Sequence, residues 1–545
     1  MSHAERRASA GGWTAGEALA SLSPLSLALA LCLLIIGLTL FLRAPIPVDE
    51  TRYLTVAWEM WRSGDPLVLH LNGAPYAHKP PMLFWLINAA WLVTGPQEWS
   101  ARLVPALFLP LSVFLTFRLG LSLGDRRIAG RGALVLASTS IFAFMGASTM
   151  FDAMLTSAVV MALIGLLRAA RGQALSGWMI VALSIGFGIL AKGPVVLLHV
   201  LPAALLAPLW IERQQVWWRW YISLLAAVTG GAAIALAWAI PSALAGGSDF
   251  ANELLWGQTS GRMVNAFAHR RPFWFYVLLL PVLLFPWAFA TRLWTRQAVS
   301  GLWQNRTWRL PAIMAAGSFL TLSLVSGKQI HYLLPMLPAI SLLVARMLSR
   351  GERAGEGRQG EERAFALMAV LFGAALLVVA GLAPRLPDAL PPIHVAPALL
   401  LLAAALPLWR LRHAPWQVVP AFAAVLAVAL SLEAGMGALA GFDLRPLASR
   451  IDPARPLAFV GGYQGEVGFA ARLAGRVDVV TPQEGASWRK THPEGQLVAI
   501  FRGDIPHFGD GRPWLERYSN RRIGLWPPLA ATGDTKGDAP AAGGR

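Results

Sequence analysis

The chain has 545 residues, of which 56% are hydrophobic and 14% are charged, and its mean hydropathy is +0.53. This composition is typical of an integral membrane protein and excludes a chain that is soluble throughout its length. The formal net charge of +17 is spread over many short loops, which favours contact with lipid head groups over nucleic acid, and the single cysteine, Cys32, excludes an intramolecular disulfide and a cysteine-based metal site.

Thirteen apolar segments follow one another along the chain, and each is predicted to be a membrane-spanning helix. They lie near 24–42, 101–122, 132–147, 153–167, 176–191, 193–211, 220–243, 273–291, 310–326, 331–348, 364–383, 394–409 and 417–440. With the N-terminus in the cytoplasm, the arginine-rich loops all fall on the cytoplasmic side, as the positive-inside rule requires, although Arg270 and Arg271 are exceptions. The 43–100 loop and the C-terminal region then share the outer face.

The 43–100 loop is too long for a simple turn, so we expect it to carry structure of its own. Helical periodicity over 54–61 predicts a helix that lies along the membrane interface and ends at Gly64-Asp65-Pro66. Asn72-Gly73 predicts a turn. The apolar stretch 82–93 is short, and a crossing here would invert the arginine pattern downstream, which favours a second interfacial helix.

The composition changes after residue 440. We predict a transmembrane domain at 1–440, a soluble α/β domain at 441–529 and a disordered tail at 530–545. Within the soluble domain, alternating and apolar patterns predict strands at 456–462, 476–480 and 496–501 and a helix at 466–474.

Acidic residues that could do chemistry lie beside the predicted spans. Asp49 and Glu50 are adjacent on a segment predicted to be extended, where neighbouring side chains point to different sides. One of them handles a sugar, a metal or an acceptor proton, or the pair is simply solvated or paired with Arg52. Asp152 starts an apolar span, where an acid is either functional or a helix N-cap.

Cations and aromatic residues accompany these acids on the predicted outer face. Arg52 and Lys79 could hold a lipid phosphate, or they meet head groups as ordinary surface cations. Tyr53 and Tyr76 offer hydroxyl groups or serve as interface anchors.

The histidines raise a metal hypothesis. His78 and His269 could supply two imidazoles to a divalent ion such as Zn²⁺, Mg²⁺ or Mn²⁺, or they are polar interface residues. Other polar side chains at outer turns have no role that spacing alone assigns: Lys192, Lys328, His331 and Tyr332. No phosphate-binding loop or dinucleotide motif is present, so we expect no nucleotide cofactor.

Taken in order, these residues resemble the type C glycosyltransferases of the bacterial aminoarabinose (lipid A) transferase group, which is related to protein O-mannosyltransferases. The similar elements are Asp49-Glu50-x-Arg52-Tyr53, Gly64-Asp65, Asn72-Gly73-x-x-Tyr76-x-x-Lys79-Pro80-Pro81, Arg102, Asp152, Leu190-Ala191-Lys192-Gly193-Pro194, His269-x-x-Pro272-x-Trp274 and Tyr332-x-x-Pro335. The resemblance implies an all-α polytopic membrane fold with about 13 spans, interfacial helices in the first periplasmic loop and a small periplasmic α/β domain.

The resemblance also implies a reaction at the periplasmic face of the bacterial inner membrane. A sugar on a polyprenyl phosphate, such as undecaprenyl phosphate, would pass to lipid A or another envelope glycan. Asp49 would be the central acid, supported by Asp152, while Arg52 and Lys79 would meet the donor phosphate. The pocket would be lined by Glu50, Tyr53, Tyr76, Lys192 and Tyr332.

In close relatives a Glu before the Lys and a later His coordinate a metal. Here His78 replaces that Glu while His269 matches, so the metal site either survives with two histidines or is lost. Two other functions stay open: transfer of the sugar to protein, and transport or flipping of the lipid-linked sugar. A transporter is expected to show internal repeats and midspan charges, and neither is evident.

Overall fold

The computed structural model describes residues 23–261, 271–295, 304–353, 361–382, 394–410, 415–437 and 439–529. His269 and the predicted tail at 530–545 lie outside these residues. The described part consists mostly of helices, with a small sheet near its C-terminal end. The predicted fold class, a polytopic helical protein with an α/β domain at the C-terminal end, is confirmed.

Each of the thirteen predicted apolar segments contains a helix, but the helices differ in length. Among the described residues, eight helices are long and apolar enough to cross a membrane, and a bent pair at 126–146 makes up to nine. The other apolar segments form shorter helices, such as the nine-residue helix Phe275–Leu283.

The helices of the membrane region are α1 (Pro24–Leu42), α2 (Asp49–Ser63), α3 (Met82–Thr94), α4 (Glu98–Ala106), α5 (Phe108–Ser122), α6 (Arg126–Ala137), α7 (Ser140–Gly146), α8 (Asp152–Ala170), α9 (Ala174–Lys192), α10 (Val195–Leu205), α11 (Trp217–Gly246), α12 (Ser248–Asn252), α13 (Phe275–Leu283), α14 (Arg309–Leu324), α15 (Leu337–Arg353), α16 (Glu361–Leu382), α17 (Val395–Arg410) and α18 (Pro415–Met436). Wide helical turns follow α12 at Glu253–Gly261, and a 3-10 segment, Ile330–Met336, precedes α15.

The first long loop folds as two short helices joined by a hairpin. α2 begins at Asp49, five residues before the predicted start, so the acid pair lies in a first helical turn and not on extended chain. Gly64 ends α2 in the left-handed conformation, with its N–H bonded to the Met60 carbonyl. A two-residue turn then joins strands His70–Leu71 and Ala74–Pro75, here β1 and β2, at the predicted position.

That turn has positive φ at both of its residues, 55° at Asn72 and 70° at Gly73, which is the geometry that Asn-Gly sequences favour. The carboxylate of Glu59 on α2 accepts the backbone N–H of both turn residues, at 2.6 and 3.0 Å. α3 follows and packs on α2. The loop is therefore an ordered platform built on α2.

The C-terminal region contains helix α19 (Arg445–Ala448), helix α20 (Gly485–Thr491) and five strands, β3 (Leu457–Val460), β4 (Val477–Val480), β5 (Gln496–Phe501), β6 (Trp514–Tyr518) and β7 (Arg521–Trp526). The strand order is β4-β3-β5-β7-β6, with β4, β3 and β5 parallel and the β6–β7 hairpin antiparallel. The helix predicted at 466–474 is wrong: this segment forms turns that pack on α2.

The sheet docks directly on α2. Thr55 donates to the Gly465 carbonyl at 2.7 Å and accepts the Phe469 N–H at 3.1 Å. Asn72 exchanges two hydrogen bonds with the backbone of Val477, at 2.9 and 2.7 Å. A local helix over 466–474 would withdraw the backbone groups that Thr55 bonds, so these contacts hold the segment in turns.

The ends of the helices show which loops share a face. The C-terminal ends of α1 and α18 touch, because a Cβ on Gly435 would collide with the Leu42 carbonyl. The 43–100 loop and the sheet therefore lie at the same end of the helices. At the other end, arginine-rich loops contact one another: Arg213 donates to the Arg171 carbonyl, and Arg306 to that of Pro208. This alternation agrees with the predicted topology.

Candidate functional site

The N-terminal end of α2 presents an acid, a cation and a phenol on one side of the helix. Asp49 has a half-exposed carboxylate, and its Oδ1 lies 3.6 Å from Nη1 of Arg52. The Tyr53 hydroxyl, one helical turn onward, lies 3.3 Å from the same oxygen. Burial, and then the charge of Asp49, raises the pKa of Tyr53, so the phenol keeps its proton and donates to Asp49.

Glu50 points the other way, into a buried ion pair. The guanidinium group of Arg43 donates to both carboxylate oxygens of Glu50, with an Nη2–Oε1 distance of 3.1 Å. Backbone N–H groups of Ile46 and Thr149 donate to it at 2.8 and 2.6 Å. Burial alone would raise the pKa of Glu50, but Arg43, Arg102 and the Thr149 N–H together lower it from 4.5 to about 2. Glu50 thus ties α2 to the segment that precedes α8.

Asp152 begins α8 and is 1% exposed. Its Oδ1 forms a salt bridge with Lys192, the last residue of α9. Its Oδ2 is buried and has no hydrogen-bond partner among the described residues. A half-satisfied buried carboxylate is uncommon and indicates a place where a ligand or a water supplies the missing partner.

Further charged and aromatic groups surround Asp152. Lys79 and His331 lie within electrostatic reach of its carboxylate. The Lys192 ammonium lies 5.0 Å from the centre of the Tyr332 ring, and that of Lys79 lies 5.7 Å from the ring of Phe151. These distances are those of cation–π contacts.

Phe151 also joins the Asp152 group to the Asp49 group, because its ring meets that of Tyr53 edge-on at 4.8 Å. Tyr76 is buried, and its hydroxyl lies within electrostatic reach of Tyr53. The structure therefore brings most of the predicted residues into one region, here called the outer site: Asp49, Arg52, Tyr53, Tyr76, Lys79, Asp152, Lys192 and Tyr332.

His78, one of the two histidines of the metal hypothesis, lies beside a carboxylate in the structure. Its Nε2 lies 3.1 Å from Oε1 of Glu253, and both side chains are about half exposed. The described residues contain no group of three or more His, Cys, Asp or Glu that could hold an ion. Two donors are fewer than the three or four protein ligands of typical zinc sites, so the described residues do not form one. With His269 outside the described residues, the predicted metal site stays a prediction.

The sequence patterns assign no role to three residues of this region. Arg43 lies at the end of a span, where a cation usually only marks the membrane boundary. Phe151 is one apolar residue among many, and His331 lies on the predicted outer face without a motif of its own. Only the fold brings Arg43 to Glu50, the Phe151 ring to Tyr53, and His331 within electrostatic reach of Asp152.

Part of the chain matches a protein-family model. Residues 78–242 match dolichyl-phosphate-mannose-protein mannosyltransferase. An undecaprenyl phosphate-α-4-amino-4-deoxy-L-arabinose arabinosyl transferase of Pseudomonas aeruginosa is 30% identical over 339 residues, 59% of this chain and 60% of the relative. The enzyme of that name from Pseudomonas paraeruginosa is 31% identical over 368 residues, 64% of each chain. The alignments thus span about three fifths of the length of these curated relatives.

The similarity of fold extends further along the chain. The crystal structure of ArnT from Cupriavidus metallidurans bound to undecaprenyl phosphate superposes with a TM-score of 0.72 at 21% identity, covering 92% of this chain and 97% of that one. The apo structure of the same protein gives 0.71 at 20% identity, covering 94% and 99%. The resemblance inferred from the motifs is therefore confirmed: the chain is similar in sequence to aminoarabinosyl transferases over about three fifths of its length, and it shares the fold of ArnT.

Proposed function

We propose that this protein is a glycosyltransferase that moves a sugar from a polyprenyl phosphate to lipid A or another envelope glycan at the periplasmic face of the bacterial inner membrane. The observation that carries the proposal is the outer site itself. Its acids and cations come from the first long loop, α8 and α9, and meet at one end of the membrane helices. A lipid whose phosphate lies at the bilayer surface can reach that position.

The cations of the outer site suit a lipid-phosphate leaving group. Negative charge grows on the phosphate as the bond to the sugar breaks, and fixed positive charge stabilises that state. Arg52 is suited to this role because its buried Nε has no hydrogen-bond partner among the described residues. Lys79 adds a second charge within electrostatic reach of Asp152.

The two acids of the outer site have different environments, which favours different roles. Asp49 is half exposed and already accepts from Tyr53, so it can meet the reacting sugar or the acceptor. With a phosphate acceptor, which is already anionic, Asp49 orients groups or stabilises positive charge at the sugar carbon. With a hydroxyl acceptor it is the candidate base. Asp152 holds Lys192 and keeps one oxygen for a ligand.

The comparisons support the substrate classes. The curated relatives are named as transferases of aminoarabinose from undecaprenyl phosphate, and the structural neighbour was crystallised with undecaprenyl phosphate. We therefore infer a polyprenyl phosphate donor and lipid A as the first acceptor to test. Protein is the second candidate acceptor, because residues 78–242 match a family described as protein mannosyltransferases.

The test is transfer by the purified full-length protein from a synthetic polyprenyl-phosphate sugar, with lipid A and unfolded protein as parallel acceptors. We expect Asp49→Asn to lower turnover by about 100-fold or more, the usual range for loss of an acid–base group. Asp504→Asn removes the same charge from an exposed position of the sheet domain and should leave turnover unchanged. The variant Arg52→Gln should weaken use of the donor.

Two results would contradict the proposal. If wild-type protein moves the intact lipid-linked sugar across a bilayer without breaking its bond, the protein is a flippase. If Asp49→Asn turns over as fast as Asp504→Asn, Asp49 is not the central acid. Mass spectrometry of lipid A from cells with and without the protein would decide between the acceptors.

A further inference from the structure

A second charged region lies in the sheet domain, away from the outer site. A cleft of ≈ 740 Å³ opens between the end of β5 and the β6–β7 hairpin. Four arginines line it, Arg502, Arg517, Arg521 and Arg522, and Glu516 is the one acid among its lining residues. We call this region the arginine cleft. It shares no residue with the outer site.

The positive charges of the cleft arginines repel one another. Arg517 and Arg522 are direct cross-strand partners in the antiparallel β6–β7 pair. Like charges in such a position destabilise a hairpin. In the described part of the chain, none of the four guanidinium groups forms a salt bridge with a carboxylate, and all four side chains are exposed. An anion from outside the chain would relieve this repulsion.

The cleft also lies near the membrane surface. The Ser519 N–H, in the hairpin turn that lines the cleft, donates to the Gly441 carbonyl at 2.9 Å. The neighbouring Tyr518 ring meets that of Phe442 edge-on at 5.5 Å. Gly441 follows the end of α18, at Met436, by five residues, which cannot span more than about 18 Å. The turn is thus held beside the exit of the last candidate span.

We propose that the arginine cleft binds the phosphate head groups of anionic lipids in the leaflet that faces the sheet domain. Guanidinium groups match phosphate oxygens with paired hydrogen bonds, and arginines near an anionic membrane surface are attracted to it. The proposal goes beyond the proposed reaction because it does not depend on which sugar moves or whether transfer occurs. It gives the sheet domain a function of its own, which is to hold phosphorylated lipids at the membrane surface.

The test uses native mass spectrometry of the full-length protein released from an uncharged detergent. The probe is short-chain phosphatidic acid, with short-chain phosphatidylcholine and inorganic phosphate in parallel titrations. All chains carry Arg52→Gln and Lys79→Gln, which removes the candidate cations of the outer site. Against this background, Arg521→Gln/Arg522→Gln is compared with Lys490→Gln/Arg512→Gln, which removes the same charge from exposed positions outside the cleft.

We expect phosphatidic acid to bind about 30-fold more weakly to the cleft variant, since each arginine at an anionic surface contributes about a fivefold factor. The control pair should change binding by less than threefold. An equal loss in both pairs would overturn the proposal, because it would reflect net charge alone. So would equal affinity for phosphatidylcholine, or for inorganic phosphate. The thermal unfolding temperature of the cleft variant should be unchanged or higher, which excludes misfolding as the cause of lost binding.

Discussion

Two buried carboxylates, about a hundred residues apart in the sequence, belong to two neighbouring centres with opposite character. Glu50 is closed: a guanidinium and two backbone N–H groups bond its oxygens. Asp152 is open: Lys192 bonds one oxygen, and the other has no hydrogen-bond partner among the described residues. Both acids are almost fully buried, so burial by itself does not distinguish them.

The difference teaches how to separate a structural acid from a functional one. Both oxygens of a closed carboxylate already accept hydrogen bonds, so it does not bind a ligand. Its partners fix the position of the chain around it. An open carboxylate retains an acceptor oxygen that costs free energy while it is unbonded and gains a partner when a ligand binds. We therefore infer that Glu50 positions α2, and through it Asp49, whereas Asp152 meets a ligand. The predicted place of Glu50 in the pocket lining stays a prediction.

The largest effect is expected from breaking the closed centre, the buried pair of Glu50 and Arg43. Glu50→Ala leaves Arg43 buried without its partner and should lower the free energy of unfolding by about 3–5 kcal/mol. The measurement is denaturant unfolding in detergent. The double variant Arg43→Met/Glu50→Leu removes both charges and should be more stable than Glu50→Ala. Wild-type stability in Glu50→Ala would show that the pair does not hold α2.

Lowering the pH should weaken the pair of Glu50 and Arg43 within a defined pH range. The pKa of Glu50 is lowered from 4.5 to about 2 in the folded protein, so its contribution is complete above pH 4.5 and is lost as the pH falls towards 2. A lowering of this size corresponds to roughly 3 kcal/mol. The stability difference between wild type and Glu50→Gln should shrink by that amount over this range. A constant difference would contradict the account.

The open centre should respond in turnover more than in stability. Asp152→Asn removes the charge with little change of shape, and we expect transfer to fall by about 100-fold. Adding Lys192→Met removes the cation left unpaired, so the double variant should recover stability but not turnover. Recovery of both would make Asp152 a structural acid like Glu50, and the contrast between the centres would disappear.

The smallest expected effect concerns docking of the sheet domain, outside both centres. Asn72→Ala removes two hydrogen bonds to the Val477 backbone and should cost about 2 kcal/mol. Hydrogen exchange should rise at β4 while turnover stays within about twofold. A large loss of turnover would mean that the position of the sheet controls the outer site, and that the two centres are not its main determinants.

Much of the architecture followed from local sequence patterns. The apolar segments predicted the membrane helices, because burial in a bilayer depends mainly on length and hydropathy. Asn72-Gly73 predicted the hairpin turn, since few residues adopt its positive φ angles. The apolar run at 496–501 predicts a strand with the bounds that the structure shows. The helix over 466–474 was predicted wrongly, because Thr55, about 410 residues away, bonds its backbone in a turn conformation.

By itself, the sequence determined that a polytopic helical protein places acids, cations and tyrosines at one end of its spans, because hydropathy and arginine distribution are read residue by residue. Only the tertiary structure decided which acid is closed and which is open. Glu50 needs the Thr149 N–H from before α8, and Asp152 needs Lys192 from the end of α9. Electrostatic stabilisation falls off with distance, so the role of each acid depends on which distant residues the fold brings within a few ångströms.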